Sequence, residues 1–222
     1  MKRWSLPAAI ICAAMLDGVV LCQAPPEAGG GGFVAIFNGK DLTGWVVDGR
    51  KSYEEDGEEK PVWAVEEGMI VCRGRGGGFL RYDRKLKDFI VRLEYRMSKR
   101  CNSGLGIRGV VYTGEDSTRP SRAGYEIQIS DDAGRDPGKR SSGSLYRYVA
   151  PKVNASKPAD EWNAIEVECR GPRIRVTLNE QVIHDLDQTT IEEIKDKPLA
   201  GYFSVQNHGK LIDFRNIKLK EL

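Results

Sequence analysis

Phe89-Ile90-Val91-Arg92-Leu93-Glu94-Tyr95-Arg96-Met97 is the stretch that decides the fold class. Phe89, Val91, Leu93, Tyr95 and Met97 recur at every second position, with Arg92, Glu94 and Arg96 between them. Successive side chains of an extended chain point to opposite faces, so this stretch buries one face and wets the other. The same period of two runs through Ile165, Val167 and Cys169 against Glu166, Glu168 and Arg170. It runs again through Ile174, Val176 and Leu178 against Arg173, Arg175 and Thr177. Turn residues separate such runs: Glu66-Glu67-Gly68, Arg170-Gly171-Pro172 and Asn179-Glu180. This spacing predicts antiparallel hairpins. Many short strands with turns between them predict an all-β, two-sheet antiparallel jelly-roll sandwich, with a closed barrel as the structural alternative. Residues 190–194 read as the one short helix.

The 222 residues carry 34 basic and 32 acidic side chains, a net charge of +2. A chain this close to balance has no nucleic-acid footprint. Lys2 and Arg3 precede an apolar stretch from Leu6 to Leu21 that Asp17 and Gly18 interrupt, and Cys22-Gln23-Ala24 resembles a cleavage site. Residues 1–24 are therefore expected to be a signal peptide and the protein to be exported, periplasmic or extracellular. The interrupted stretch is too short and polar for a membrane span. Residues 25–32 form a Pro/Gly-rich linker, and residues 33–222 are expected to fold as one β-sandwich. Three of the five cysteines, Cys72, Cys101 and Cys169, fall in that domain. An odd number cannot all pair, so one disulfide or buried free thiols are both open. Two longer segments stand out as rims: residues 48–60, acidic and expected to be mobile, and residues 131–142.

Three stretches carry polar chemistry. In Tyr125-Glu126-Ile127-Gln128-Ile129-Ser130, alternation sends Tyr125, Ile127 and Ile129 to the core and lines up Glu126, Gln128 and Ser130 on the other face. Planar carboxylates and amides hydrogen-bond sugar hydroxyls, and a carboxylate can act as a general base. In Asn102-Ser103-Gly104-Leu105-Gly106-Ile107-Arg108-Gly109, the same alternation predicts Arg108 on the polar face, a fork of donors within reach of Glu126 or a substrate oxygen. In Gln206-Asn207-His208-Gly209, His208 follows a strand and suits proton transfer, while His184, inside a hairpin, reads as structural. Arg73-Gly74-Arg75-Gly76-Gly77-Gly78 lacks the ending of a phosphate loop and reads as a flexible turn. Asp131, Asp132 and Asp136 lack EF-hand spacing for calcium. Asn154-Ala155-Ser156 is a glycosylation-type triplet.

Taken together, the sequence resembles the 3-keto-disaccharide hydrolase family. Phe37-Asn38-Gly39-Lys40-Asp41-Leu42-Thr43-Gly44-Trp45 looks like its opening motif. Asn102-Ser103-Gly104 with Arg108-Gly109, residues 125–129 and Gly143-Ser144-Leu145-Tyr146 look like its middle, and Glu161-Trp162-Asn163, Leu178-Asn179, Gln206-Asn207-His208-Gly209 and Phe214-Arg215-Asn216-Ile217 look like its end. The resemblance implies a concanavalin A-like lectin/glucanase jelly roll and activity on 3-keto-glycosides. Two departures are visible: Asn179-Glu180 stands where Asn-Gly is usual, and Gly106 replaces a larger residue. Residues 53–60 are an acidic insertion.

A ketone at C3 acidifies the proton at C2, so such a glycoside can be cleaved by proton abstraction and elimination, followed by addition of water. That route needs a base and an enolate stabiliser more than a nucleophile–acid pair. The expected base is Glu126 or His208, and the expected electrophile is Arg108. No cofactor is specified, and a divalent cation in place of Arg108 stays open. Gln128, Asn102, Tyr146 and Gln206 are the expected substrate-binding residues. The partner is a carbohydrate substrate, the oligomeric state is not specified, and the alternative function is a non-catalytic, lectin-like carbohydrate-binding module.

Overall fold

The structure, a computed structural model, describes residues 32–222. The expected signal peptide, with Cys12 and Cys22, and the linker up to residue 31 lie outside the described residues. The strands are β1 (Val34–Ala35), β2 (Trp45–Gly49), β3 (Ser52–Glu55), β4 (Glu58–Pro61), β5 (Trp63–Glu66), β6 (Met69–Arg73), β7 (Gly78–Leu86) and β8 (Phe89–Met97). They continue with β9 (Asn102–Gly109), β10 (Tyr125–Ser130), β11 (Trp162–Arg170), β12 (Arg173–Leu178), β13 (Gln181–Asp187), β14 (Gly201–Asn207) and β15 (Leu211–Glu221). One helix, α1, covers Pro120–Ala123.

Two antiparallel sheets stack on one core. The larger runs β13-β12-β11-β8-β15-β6-β5, with β1 on the far part of β15, and the smaller runs β10-β9-β14-β7-β2. Neither strand order closes on itself, one ending at β13 and β5 and the other at β10 and β2, so the sheets form a jelly-roll sandwich and not a closed barrel. The decisive stretch is the central strand β8. Its five alternating apolar side chains are at most 3% exposed, and burying each contributes roughly 1.5–3 kcal/mol. Leu80, Leu105, Ile107, Tyr125, Ile127, Ile129, Phe203 and Val205 of the smaller sheet complete the core. Cys72, Cys101 and Cys169 are free and buried, and burial pushes each thiol up to about 12. Among the described residues, no helix is long and apolar enough to cross a membrane.

The outer face of the smaller sheet is not left to water. The chain between β9 and β10 folds back over it, and α1 seats Pro120 above Gly106. Tyr112 from the same segment meets the outward-facing Phe79 edge-on, with ring centroids 5.1 Å apart. Beyond the edge strand β10, residues 143–146 continue the ladder: Gly143 N–H donates to the Gln128 carbonyl, Gln128 N–H to the Ser144 carbonyl and Tyr146 N–H to the Glu126 carbonyl. An edge that would otherwise invite pairing with another chain is thereby covered.

Three expectations are corrected. The helix lies at Pro120–Ala123, where Pro120 at its first position fixes φ in advance. Residues 188–190 make only a 3-10 turn, which Asp187 caps by accepting from Thr189 N–H. The acidic stretch is no mobile loop: β3 and β4 pair around Asp56-Gly57, whose φ values of 56° and 78° suit a tight two-residue hairpin. Asp131 and Asp132 face neighbouring backbone, accepting from Arg100 N–H and Ser142 N–H respectively, and so brace their loop.

The third correction concerns Arg108. Tyr202 pairs with Gly109 and Ser204 with Gly106, so Phe203 alone opposes Ile107 and Arg108. This β-bulge puts Arg108 at a φ of 54° and breaks the alternation that sequence reading assumed. The side chain turns into the interior and is fully buried. Its Nη1 donates to Gln188 Oε1 at 2.9 Å and its Nη2 to the Gly171 carbonyl at 2.5 Å, while Tyr125 Oη also donates to Gln188 Oε1. Glycines close over the bulge, because a Cβ on Gly124 or Gly201 would lie 2.5 Å from the Arg108 carbonyl oxygen.

Two stability predictions follow from these geometries. Asn179 and Glu180 form the two-residue turn between β12 and β13 with φ of 47° and 70°, a conformation that a glycine adopts without the Cβ strain Glu180 carries. Glu180→Gly is expected to raise unfolding free energy by up to about 1 kcal/mol, read as a higher urea midpoint at constant slope. A methyl group on Gly106 would lie 2.8 Å from two ring carbons of Pro120. Gly106→Ala is therefore expected to cost about 1–3 kcal/mol, and an unchanged midpoint would refute that packing.

Candidate functional site

The smaller sheet supplies the floor. In β10 the odd-numbered side chains go to the core, and Glu126 and Gln128 rise on the outer face. Across the register, Glu126 pairs with Gly106 and Gln128 with Gly104 of β9, and Ser204 of β14 pairs with Gly106. The middle strand therefore has no side chains where its neighbours have polar ones, and a trough results. Glu126 leans into it: a Cβ on Gly104 would lie 2.7 Å from its Cγ and 2.8 Å from Oε1. Across the gap, Gln206 Nε2 donates to Glu126 Oε2 at 3.2 Å.

Above this floor lies a hollow of about 300 Å³. Gln128 Nε2 donates to Asn102 Oδ1 at 2.9 Å, and Asn102 Nδ2 lies 3.4 Å from His208 Nδ1, so an amide relay runs from the floor to the imidazole. Gln128 Oε1 and Gln206 Oε1 are buried without a protein partner. Two such acceptors facing a polar hollow fit ligand hydroxyls. Ser121, Tyr146, Arg119, Arg122, Arg140, Arg147 and Asp116 form the walls.

Burial sets the electrostatics. Glu126 is 5% exposed, and loss of water pushes its carboxyl up to about 7, against the Arg119 guanidinium and the hydrogen bonds from Gln206 and Ser121, which pull the other way. A carboxyl poised near neutrality is matched to accepting or delivering a proton. His184 is indeed structural: it is buried and its Nε2–H donates to the Gly143 carbonyl at 2.8 Å. A divalent cation in the hollow would meet Glu126, His208 and amide oxygens; among the described residues there is no cluster of three or more His, Cys, Asp or Glu.

The His208 turn is held from below by the glycine-rich segment that reads in sequence as a flexible turn. A Cβ on Gly74 (φ 67°) would lie 2.7 Å from the Lys210 α-carbon, and Asn207 Nδ2 donates to the Arg75 carbonyl at 3.1 Å. That segment is a packed buttress.

Of the seven residues singled out from sequence, Glu126, His208, Gln128, Asn102, Tyr146 and Gln206 meet in the one hollow, and Arg108 does not. Sequence reasoning missed Arg119, Ser121 and Arg122, which have no periodicity to mark them. The Arg119-Pro120 step, with proline at a helix start, is the one local signal for their segment. Arg140 and Arg147 sit on irregular backbone that no pattern announces.

Comparison with known proteins places this geometry in context. A 3-keto-disaccharide hydrolase of Bacteroides thetaiotaomicron is 28% identical, the alignment covering 90% of this chain and 81% of that protein. The crystal structure of a candidate glycosyl hydrolase from Parabacteroides distasonis superposes with a TM-score of 0.70 at 23% identity, over 86% of this chain and 94% of that one. A Bacillus subtilis protein with a galectin-like fold gives 0.52 at 11% identity, over 87% and 97%, and shares the sandwich alone. The family described as the 3-keto-alpha-glucoside-1,2-lyase-like domain matches residues 32–220, and the chain belongs to that family.

Proposed function

We propose that this protein is an enzyme that cleaves 3-keto-glycosides, 3-keto-disaccharides among them, by elimination across C1–C2 and subsequent hydration. The observation that carries this reading is Glu126: a nearly buried carboxyl, pushed up to about 7, on the floor of a polar hollow beside a guanidinium. The named activity of the Bacteroides thetaiotaomicron relative supports the substrate class. Ionised Glu126 takes the C2 proton, and the electron pair enters the C3 carbonyl as an enolate. Arg119, whose charge already acts on Glu126, replaces Arg108 as the group that stabilises the oxyanion. The enolate collapses, the C1=C2 double bond forms, and the C1–O bond to the leaving group breaks. His208, steadied by Asn102, hands a proton to the departing oxygen. Water then adds across C1=C2, proton to C2 and hydroxyl to C1, and the net reaction is hydrolysis. Gln128 and Gln206 accept from sugar hydroxyls through their unpartnered oxygens. Such a substrate fits a protein exported from the cytoplasm, in line with the expected signal peptide.

A base must be ionised, so kcat/KM on a 3-keto-disaccharide is expected to fall about tenfold per pH unit below about 7. Glu126→Gln is expected to lose that limb and at least about a hundredfold in rate. A profile flat from pH 5 to 8, or full activity in Glu126→Gln, rules Glu126 out as the base. Tight binding of the keto-disaccharide without turnover would instead identify a lectin-like module.

Stability should move the other way. Because the folded protein raises the Glu126 pKa above its ordinary 4.5, folding favours the protonated form, and stability is lost as pH rises from 4.5 through about 7. The full penalty above that window is about 3 kcal/mol. Glu126→Gln removes it, so differential scanning calorimetry is expected to show a gain in Tm over the parent at pH 8 and a much smaller one at pH 5.

A further inference from the structure

The hollow carries more positive charge than cleavage of a neutral sugar requires. Four guanidiniums, Arg119, Arg122, Arg140 and Arg147, line it against two carboxylates, Asp116 and Glu126. The chain as a whole is almost balanced, with 34 basic and 32 acidic residues, so this excess is a local concentration and not a reflection of overall composition.

The four arginines are not equivalent. Arg119 and Arg122 clamp one carboxylate, Asp116, at 3.4 and 3.0 Å. Among the described residues, Arg140 and Arg147 form no ion pair with any carboxylate. They are nevertheless held together. Arg147 N–H donates to the Lys139 carbonyl at 2.7 Å, and Arg147 sits at a φ of 67°, a conformation that disfavours a side chain with a Cβ. The Arg140 loop and the Arg147 strip are thereby fastened backbone to backbone. Beside them, the Tyr146 N–H is fixed on the carbonyl of Glu126 itself. Two exposed, unpaired guanidiniums thus project from backbone that is anchored to the wall of the hollow whose floor carries the proposed base.

Guanidinium is permanently charged and its planar fork matches the paired oxygens of a carboxylate or a sulfate ester. We infer that the natural substrate is an anionic 3-keto-glycoside, carrying a carboxylate or sulfate that Arg140 and Arg147 bind while its keto sugar lies over Glu126. This inference rests on the reading of the hollow as a site for 3-keto-glycosides and narrows it to charged members of that class. An anion at this position also accounts for a wall that a neutral disaccharide would leave uncompensated.

The test uses a matched pair of equal shape, 4-carboxyphenyl and 4-carbamoylphenyl 3-keto-β- or 3-keto-α-glucoside, and a 6-sulfated neutral-aglycone glucoside against its unsulfated form. The first pair places the anion on the leaving group, and the second places it on the sugar. At low salt, the anionic member of at least one pair is expected to show a KM about tenfold lower than its neutral partner. Raising ionic strength is expected to erode the ratio. In the double variant Arg140→Ala/Arg147→Ala, the ratio is expected to fall to about one. Equal KM values within both pairs, or a ratio untouched by the double substitution, overturn the inference. Absence of turnover for all four compounds overturns the proposed activity instead. Calorimetric Kd values for the same pairs then decide the anion site separately, tighter binding of the charged member upholding it and equal binding refuting it.

Discussion

Gly104 and Gly106 lie on the middle strand under the hollow, and each is forbidden a side chain by a different neighbour. A Cβ at position 104 would occupy the space into which Glu126 leans, and one at position 106 would strike Ser204 Oγ and the Pro120 ring. The first absence lets a carboxylate on β10 reach an amide on β14 across an intervening strand. The second lets the segment carrying Arg119, Ser121 and Arg122 sit down on the sheet and become a wall. Trough and wall both depend on two missing methyl groups in a strand whose other face, Leu105 and Ile107, is fully buried core.

From that constraint the electrostatics follow. A sheet face with one solvated side would leave Glu126 an ordinary exposed acid. Covering the face with the 110–124 segment, and extending its edge with residues 143–146, removes water from the carboxylate without giving it a salt bridge. Desolvation then outweighs the Arg119 guanidinium and two hydrogen bonds, which pushes the carboxyl up to about 7. The fold carries a destabilised charge in a polar hollow, a pattern expected of functional sites.

The period of two made the sandwich legible, because a half-buried strand writes its geometry directly into residue types. The same rule put Glu126 and Gln128 on one polar face, and it correctly placed Tyr125, Ile127 and Ile129 inward. It failed at Arg108 for a physical reason: one extra residue in β9 opposite Phe203 shifts the phase, and nothing in the alternation of Leu105, Ile107 and Arg108 signals that shift. Asp56-Gly57 is a strong hairpin signal that the surrounding acidity obscured. The family resemblance singled out Gly106 as a departure, and the structure shows Ser204 Oγ and the Pro120 ring where a Cβ would need room. Arg140 and Arg147 were illegible because irregular backbone has no period; only the folded ladder of residues 143–146 brings them to the hollow.

Floor and wall come from different kinds of chain. Glu126, Gln128 and Gln206 project from paired strands, whereas Arg119, Arg122, Arg140 and Arg147 belong to connections that lie outside the two sheets. A lineage can therefore rewrite which compounds fit the hollow by insertion, deletion or charge exchange in two stretches of connecting chain, leaving the floor strands and their register untouched. Selectivity and scaffold, in such an architecture, can vary independently.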